Sequence, residues 1–195
     1  MRRLVVGFSV LAVVLAAGVS CPAWAADSVW DALRGGGKVV VLRHASTEPG
    51  LGDPPGFRLD DCTTQRNLSE AGRAEARRIG AAFVRRAVLV TRVLSSRWCR
   101  CVETARLAFG RVEPWASLDS FFDDRSREPQ QTRAVRALFA EPLTGGNLIL
   151  VTHQVNITAL TGIAPAMGEM VVLSPEPGEN FRIAGRLGPA DFSYK

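Results

Sequence analysis

Histidine is nearly absent from this chain of 195 residues: it has two, His44 and His153, which excludes a histidine-rich metal site. Lysine is as scarce, with only Lys38 and Lys195, so almost all of the positive charge is arginine. Cysteine occurs four times, too few for a small fold held by disulfides in place of a core. Aromatic residues make up 7%, which argues against a stacking platform for single-stranded nucleic acid. No repeat or low-complexity tract is visible, and a charged share of 22% is ordinary for a globular protein, which excludes disorder for most of the length. What is present is 47% hydrophobic content, enough for one domain with a real core.

The N-terminus reads as a leader. Arg2 and Arg3 precede 17 uncharged residues, Leu4 to Ser20, and Ala23-Trp24-Ala25 puts small residues at both positions a signal peptidase reads. Residues 1–25 are therefore expected to be a signal peptide, residues 26–195 a single domain, and the location periplasmic or secreted. The rival is an uncleaved anchor, since 17 residues lie at the lower limit for a spanning helix; the Ala-x-Ala site favours cleavage, which leaves no membrane span. Cleavage removes two arginines and no acid, so 22 basic side chains face 19 acidic ones, a net +3 too small to imply a nucleic-acid partner. Arginine is the side chain best suited to bidentate phosphate binding, so the positions of the arginines carry the information.

Along the mature chain, Asp27 or Ser28 can cap a short helix ending at Gly35-Gly36-Gly37. Lys38 to Leu42 is a short β-branched run suited to a doubly covered parallel strand. Residues 45–66, rich in Pro and Gly, read as a long loop, which inside a compact domain is usually functional or covering. Ser69 can cap a helix whose Gly72, Ala76, Ile79 and Phe83 share one inward face. Val88–Leu94 is a second strand, followed by a helix from about Arg97 to Phe109 that stops at Gly110. A weak strand is expected within Val112–Leu118 and a helix over roughly Pro129–Ala140. Leu148–Thr152 is a third buried strand with a helix after it, and Glu169–Ser174 can pair with Asn180–Leu187 as a hairpin. This alternation predicts an α/β fold: a doubly wound, mostly parallel central sheet flanked by helices, with a C-terminal β-hairpin.

Three segments share one grammar, an apolar strand followed by a polar cluster: Val39–Leu42 before Arg43-His44, Val93–Leu94 before Ser95-Ser96-Arg97-Trp98-Cys99-Arg100, and Leu148–Thr152 before His153. In open parallel sheets, ligands bind beyond the carboxyl ends of the strands, so neighbouring strands here would bring both histidines and two or three arginines to one pocket. Two imidazoles among guanidiniums suit phosphoryl transfer, one attacking phosphorus while the others hold equatorial oxygens. Arg43 beside His44 is expected to disfavour the imidazolium and keep that ring nucleophilic.

Four blocks carry a resemblance: Leu42-Arg43-His44-Ala45-Ser46-Thr47, Asn67-Leu68-Ser69-Glu70-Ala71-Gly72, Ser95-Ser96 with Arg100 and Thr104-Ala105, and Val151-Thr152-His153. Their order and content resemble the histidine phosphatase (phosphoglycerate mutase-like) superfamily. The resemblance implies a doubly wound α/β fold with His44 as the phosphorylated nucleophile. It also implies phosphoryl binding by Arg43, Arg100 and His153, a substrate contact at Thr47, and no metal or cofactor. The expected activity is hydrolysis of a small phosphomonoester, by analogy a cell-envelope sugar phosphate, through a phosphohistidine intermediate. The rivals are a protein phosphohistidine phosphatase and a catalytically silent phosphate- or sugar-phosphate-binding protein. The oligomeric state stays open.

Two departures from the family pattern matter. Ala45 stands where the family usually has Gly, and the run His153-Gln154-Val155-Asn156 lacks the acid that some relatives carry after this histidine. The proton donor is therefore sought among Asp119, Asp123 and Asp124, with Glu48, Glu169 or water as the fallback. Of the cysteines left after cleavage, Cys99 and Cys101 lie two apart on a helix and face different sides. Cys62, in the long loop, is expected to bond Cys99 or Cys101, with Cys99 preferred because Cys101 falls on the probable core face with Ala105 and Ala108. Three reduced thiols are the alternative.

Overall fold

The structure, a computed structural model, describes residues 24–193; the expected leader lies outside them except for Trp24 and Ala25. Among the described residues a single six-stranded sheet runs in the order β3-β2-β4-β1-β5-β6. Its strands are β1 (Val39–Arg43), β2 (Val90–Ser95), β3 (Glu113–Pro114), β4 (Asn147–Thr152), β5 (Met170–Glu176) and β6 (Asn180–Leu187). The first four run parallel; β5 pairs antiparallel with β1, and β6 pairs antiparallel with β5 to complete the C-terminal hairpin.

Five helices cover the sheet: α1 (Trp24–Arg34), α2 (Glu70–Arg85), α3 (Cys99–Phe109), α4 (Glu128–Ala137) and α5 (Gln154–Thr161). The period-2 alternation of the strands decides which helices each residue meets. Val40 and Leu42 of β1, with Ile149 and Val151 of β4, face the cluster built on Trp30, Ile79, Phe83 and Cys101. Val39 and Val41, with Leu148 and Leu150, face Val135, Ile157 and Leu160. Both faces are therefore buried, which is why these strands read as unbroken apolar runs. Among the described residues no helix is long and apolar enough to cross a membrane.

Three local differences from the sequence reading have plain causes. Helix α1 begins before Asp27, which sits within the first turn, where a carboxylate complements the helix dipole, and pairs with Arg86 at 2.8 Å. Strand β3 has only two residues, because Pro114 has no N–H to continue a ladder and residues 116–118 turn into a 3-10 helix. Helix α5 starts two residues earlier than Asn156, with His153 itself as the N-cap. Ser69 does cap α2, its hydroxyl accepting from the Gly72 N–H at 3.1 Å.

Gly72 and Gly80 of α2 are close-approach positions. A Cβ at Gly72 would lie 1.8 Å from the Ser46 carbonyl oxygen, and one at Gly80 would lie 2.0 Å from that of Ala108. Helix α2 thereby rests its first turn directly on the loop that follows β1. A Cys62–Cys99 disulfide ties the long loop to the first residue of α3, while Cys101 is a buried free thiol, pushed up to about 12 by that burial.

Candidate active site

Strands β2, β4 and β1 are neighbours, so the three polar clusters emerge side by side at the carboxyl edge of the sheet. His44 continues the β1–β4 ladder, its N–H donating to the Thr152 carbonyl at 3.0 Å while its own carbonyl accepts from Gly168 at 3.1 Å. The Ala45 N–H donates to the Thr104 hydroxyl at 3.1 Å, so the residue in the place of the usual Gly is held from α3. The imidazole position is thus set by backbone on both sides.

The His44 ring has a defined tautomer. Its Nδ1 lies 2.9 Å from the Ala45 carbonyl oxygen, which can only accept, so Nδ1 carries the proton and Nε2 keeps its lone pair. Burial pushes the His44 pKa down to about 3; the next cause is the charge of Arg100, and Arg43 contributes less. The adjacent Arg43 does disfavour the imidazolium as expected, but removal from water is the larger cause. His153 stands 5.5 Å away, ring centre to ring centre, and burial followed by the Arg100 charge also drives its pKa well below the ordinary value. Ser96 Oγ lies 2.8 Å from His153 Nε2, and the Trp98 ring packs edge-on at 5.3 Å.

Three guanidiniums surround the two rings. Arg43 donates to the Pro165 carbonyl at 2.8 Å, and Arg66 donates to Thr47 Oγ1 at 2.7 Å and the Gly50 carbonyl at 3.0 Å. Arg100 is buried and forks onto Asp53, with Nη1–Oδ1 2.7 Å and Nη2–Oδ2 3.1 Å. Asp53 also accepts from the Trp98 indole at 2.9 Å and from the Arg66 N–H at 3.0 Å. Burial opposes the Asp53 charge, but the Arg100 fork and these donors hold its carboxyl below the usual range. Among the described residues, Nε of Arg43, Arg66 and Arg100 is in each case buried without a hydrogen-bond partner. Buried N–H donors left unpaired are costly, and three of them around one space favour an anion there.

That space is a cleft of about 220 Å³. Its buried and half-buried wall includes Arg43, His44, Asp53, Arg66, Arg100 and His153; Leu51, Phe122, Asp123 and Arg125 stand at its exposed rim. Of the residues expected from sequence, His44, Arg43, Arg100 and His153 meet in this cleft. Thr47 does not line it and instead stands behind Arg66, holding that guanidinium through its hydroxyl.

The proton-donor candidates separate cleanly. Asp119 is fully buried and locked: it accepts from the Arg97 N–H at 2.9 Å, from Arg97 Nε at 2.8 Å and Nη2 at 2.5 Å, and from Ser96 Oγ at 3.4 Å. Asp119 does not line the cleft and both its oxygens are taken by Arg97 and Ser96, so it is corrected to a support for the Ser96–His153 contact. Asp124 faces solvent and caps a 3-10 turn through Ser126, which removes it as well. Asp123 alone of the three lines the cleft. Glu169 is engaged by Arg186 at 2.5 Å and by the Ala166 N–H at 2.8 Å.

Two charged residues of the buried and half-buried cleft wall went unread in the sequence. Arg66 immediately precedes the Asn67-Leu68-Ser69 block, and that adjacency was a usable signal. Asp53 sits among prolines and glycines and reaches Arg100 across 47 positions, with nothing local to mark it.

No family model matches the chain, and no curated protein matches it. Solved structures do. Over 80% of this chain and 99% of the other, it superposes on the protein histidine phosphatase SixA complexed with tungstate, at 15% identity and a TM-score of 0.60. The fold is that of the histidine phosphatases. Bacillus stearothermophilus YhfR shares this histidine phosphatase fold at 17% identity and a TM-score of 0.55, over 76% of this chain and 95% of that one. The alpha-ribazole phosphatase from Shigella flexneri does so at 14% identity and 0.52, over 70% and 89%.

Proposed function

We propose that this chain is an exported phosphatase that hydrolyses a phosphomonoester through a phosphohistidine intermediate on His44. The observation that carries the reading is the neutral His44 ring, with Nδ1 fixed on the Ala45 carbonyl and Nε2 unprotonated, in a cleft with three arginines and a second imidazole. Nε2 attacks phosphorus, the N–P bond forms and the ester P–O bond breaks, and the leaving oxygen takes a proton from Asp123. Arg43, Arg66 and Arg100 neutralise the equatorial oxygens. His153, whose Nε2 lies 2.8 Å from Ser96 Oγ, is the second imidazole facing the phosphoryl group. Water then attacks the phosphoramidate, gives its proton to Asp123, and releases phosphate with His44 neutral again. Two easier steps replace one hard step.

Export is part of the proposal. The uncharged run ahead of Ala23-Trp24-Ala25 supports it, and so does the Cys62–Cys99 bridge, since such bonds persist in oxidising compartments. The deciding experiment is rapid quench with a labelled phosphomonoester. An acid-labile phosphate is expected on the His44 peptide and is lost in His44→Ala. Label on the His153 peptide would reverse the roles, and turnover without label would end the covalent mechanism. The likeness to the protein histidine phosphatase SixA favours a phosphohistidine protein as second reading. Dephosphorylation of such a protein faster than of any small ester would select it.

A further inference from the structure

The arginines and imidazoles account for the phosphoryl group and leave the rim of the cleft unexplained. Two large hydrophobic side chains stand there in water, Leu51 at 87% and Phe122 at 45% exposure, carried by separate segments and opening on the same cleft. Val155, at the start of α5, adds a third apolar side chain to that rim.

Leu51 is held out rather than left loose. It lies between Gly50 and Gly52, both at positive φ (137° and 70°), a conformation that lets the chain turn sharply on either side of it. Both flanks are anchored in the site itself: the Gly50 carbonyl accepts from the Arg66 guanidinium at 3.0 Å, and Asp53 takes the Arg100 fork. The same arginines that face the phosphoryl group therefore fix the position of an exposed leucine beside it. Most polar groups of the rim are already engaged: Ser120 Oγ accepts from the Phe122 N–H at 3.2 Å, which leaves its proton and the Gln154 amide for a polyol. Asp123 serves the leaving oxygen in the reading above, and Arg125 pairs with Glu128 at 3.5 Å and lies over the Phe121 ring at 5.6 Å. Few groups remain to satisfy the hydroxyls of a sugar, and a polyol pressed against leucine and phenylalanine would lose water hydrogen bonds without replacement.

We infer that Leu51 and Phe122 form the leaving-group subsite, and that the substrate is a phosphomonoester whose alcohol carries an apolar alkyl or aryl body rather than a sugar. This rests on the phosphatase reading. Both residues determine specificity without touching the reacting atoms, and they gain apolar contact area only when such a body is bound.

The test compares n-hexyl phosphate with glucose 6-phosphate, both esters of primary alcohols, alongside acetyl phosphate, which presents almost no body to the rim. The hexyl ester should exceed the sugar ester in kcat/KM by roughly tenfold or more, and Leu51→Ser or Phe122→Ser should each lower that ratio by roughly three- to tenfold, chiefly through KM. Both residues are exposed, so the variants fold. Equal kcat/KM for the two esters, or a ratio that neither variant moves, overturns the subsite, while turnover of acetyl phosphate keeps the phosphatase reading. Absence of turnover on all three phosphates removes that reading and the subsite with it.

Discussion

Between pH 7.5 and pH 5 the side chains whose ordinary pKa falls in range are the two histidines, since carboxylates titrate lower and lysine, tyrosine and arginine higher. The folded His44 has a pKa of about 3 against an ordinary 6.5. Its pKa is depressed by folding, so below pH 6.5 the unfolded chain binds a proton that the folded chain refuses. Stability from this group is complete above pH 6.5 and is lost progressively as the pH falls towards 3. At pH 5 the loss attributable to His44 is about 2 kcal/mol, and His153, shifted the same way, adds to it. Urea unfolding followed by tryptophan fluorescence should show a midpoint lower at pH 5 than at pH 7.5 by about 1 M or more, for an m-value near 2 kcal/mol per M. His44→Asn, which keeps a donor for the Ala45 carbonyl, should lose the His44 share, and His44→Asn with His153→Gln should unfold at nearly the same urea concentration at both pH values. A double variant that keeps the full pH dependence, or a parent that shows none, would refute the buried neutral pair.

Four further outcomes follow from contacts described above. Asp53→Ala leaves the buried Arg100 guanidinium without its carboxylate and should cost about 3 kcal/mol in urea unfolding, against a few tenths for a surface site. Cys62→Ser with Cys99→Ser should cost about 4 kcal/mol on the chain-entropy account, read from the same unfolding curves; no shift would mean the bond contributes nothing. Gly72→Ala forces α2 off the Ser46 carbonyl, and a loss of about 1–3 kcal/mol together with reduced kcat/KM is expected from that strain. Asp123→Asn should slow hexyl phosphate hydrolysis by about 10² while p-nitrophenyl phosphate, whose leaving group needs little acid help, changes by only about threefold; equal losses would place the donor elsewhere.

Much of the scaffold was legible in one dimension. Val39–Leu42 and Leu148–Thr152 are continuous apolar runs because both of their faces are covered, and that pattern is local to each strand. The Ser69 cap, the C-terminal hairpin and the emergence of His44 and His153 directly past strand ends are likewise set by neighbours in sequence. The preference for Cys99 over Cys101 followed from helical periodicity, with Cys101 on the buried face.

What the tertiary structure alone decided is which charge meets which. Asp119 and Asp123 are four positions apart and alike in sequence, yet one is buried under Arg97 and the other opens on the cleft. Thr47 belongs to a block that suggested substrate contact, but its hydroxyl is taken by Arg66, 19 positions away. Asp53 and Arg66 enter the site on a loop whose course is set by the Arg100 fork and the Cys62–Cys99 bond. Strand and helix patterns arise from interactions a few residues apart and leave a period in the sequence. A side-chain ion pair depends on distance in space across tens of residues, and so it leaves no period to read.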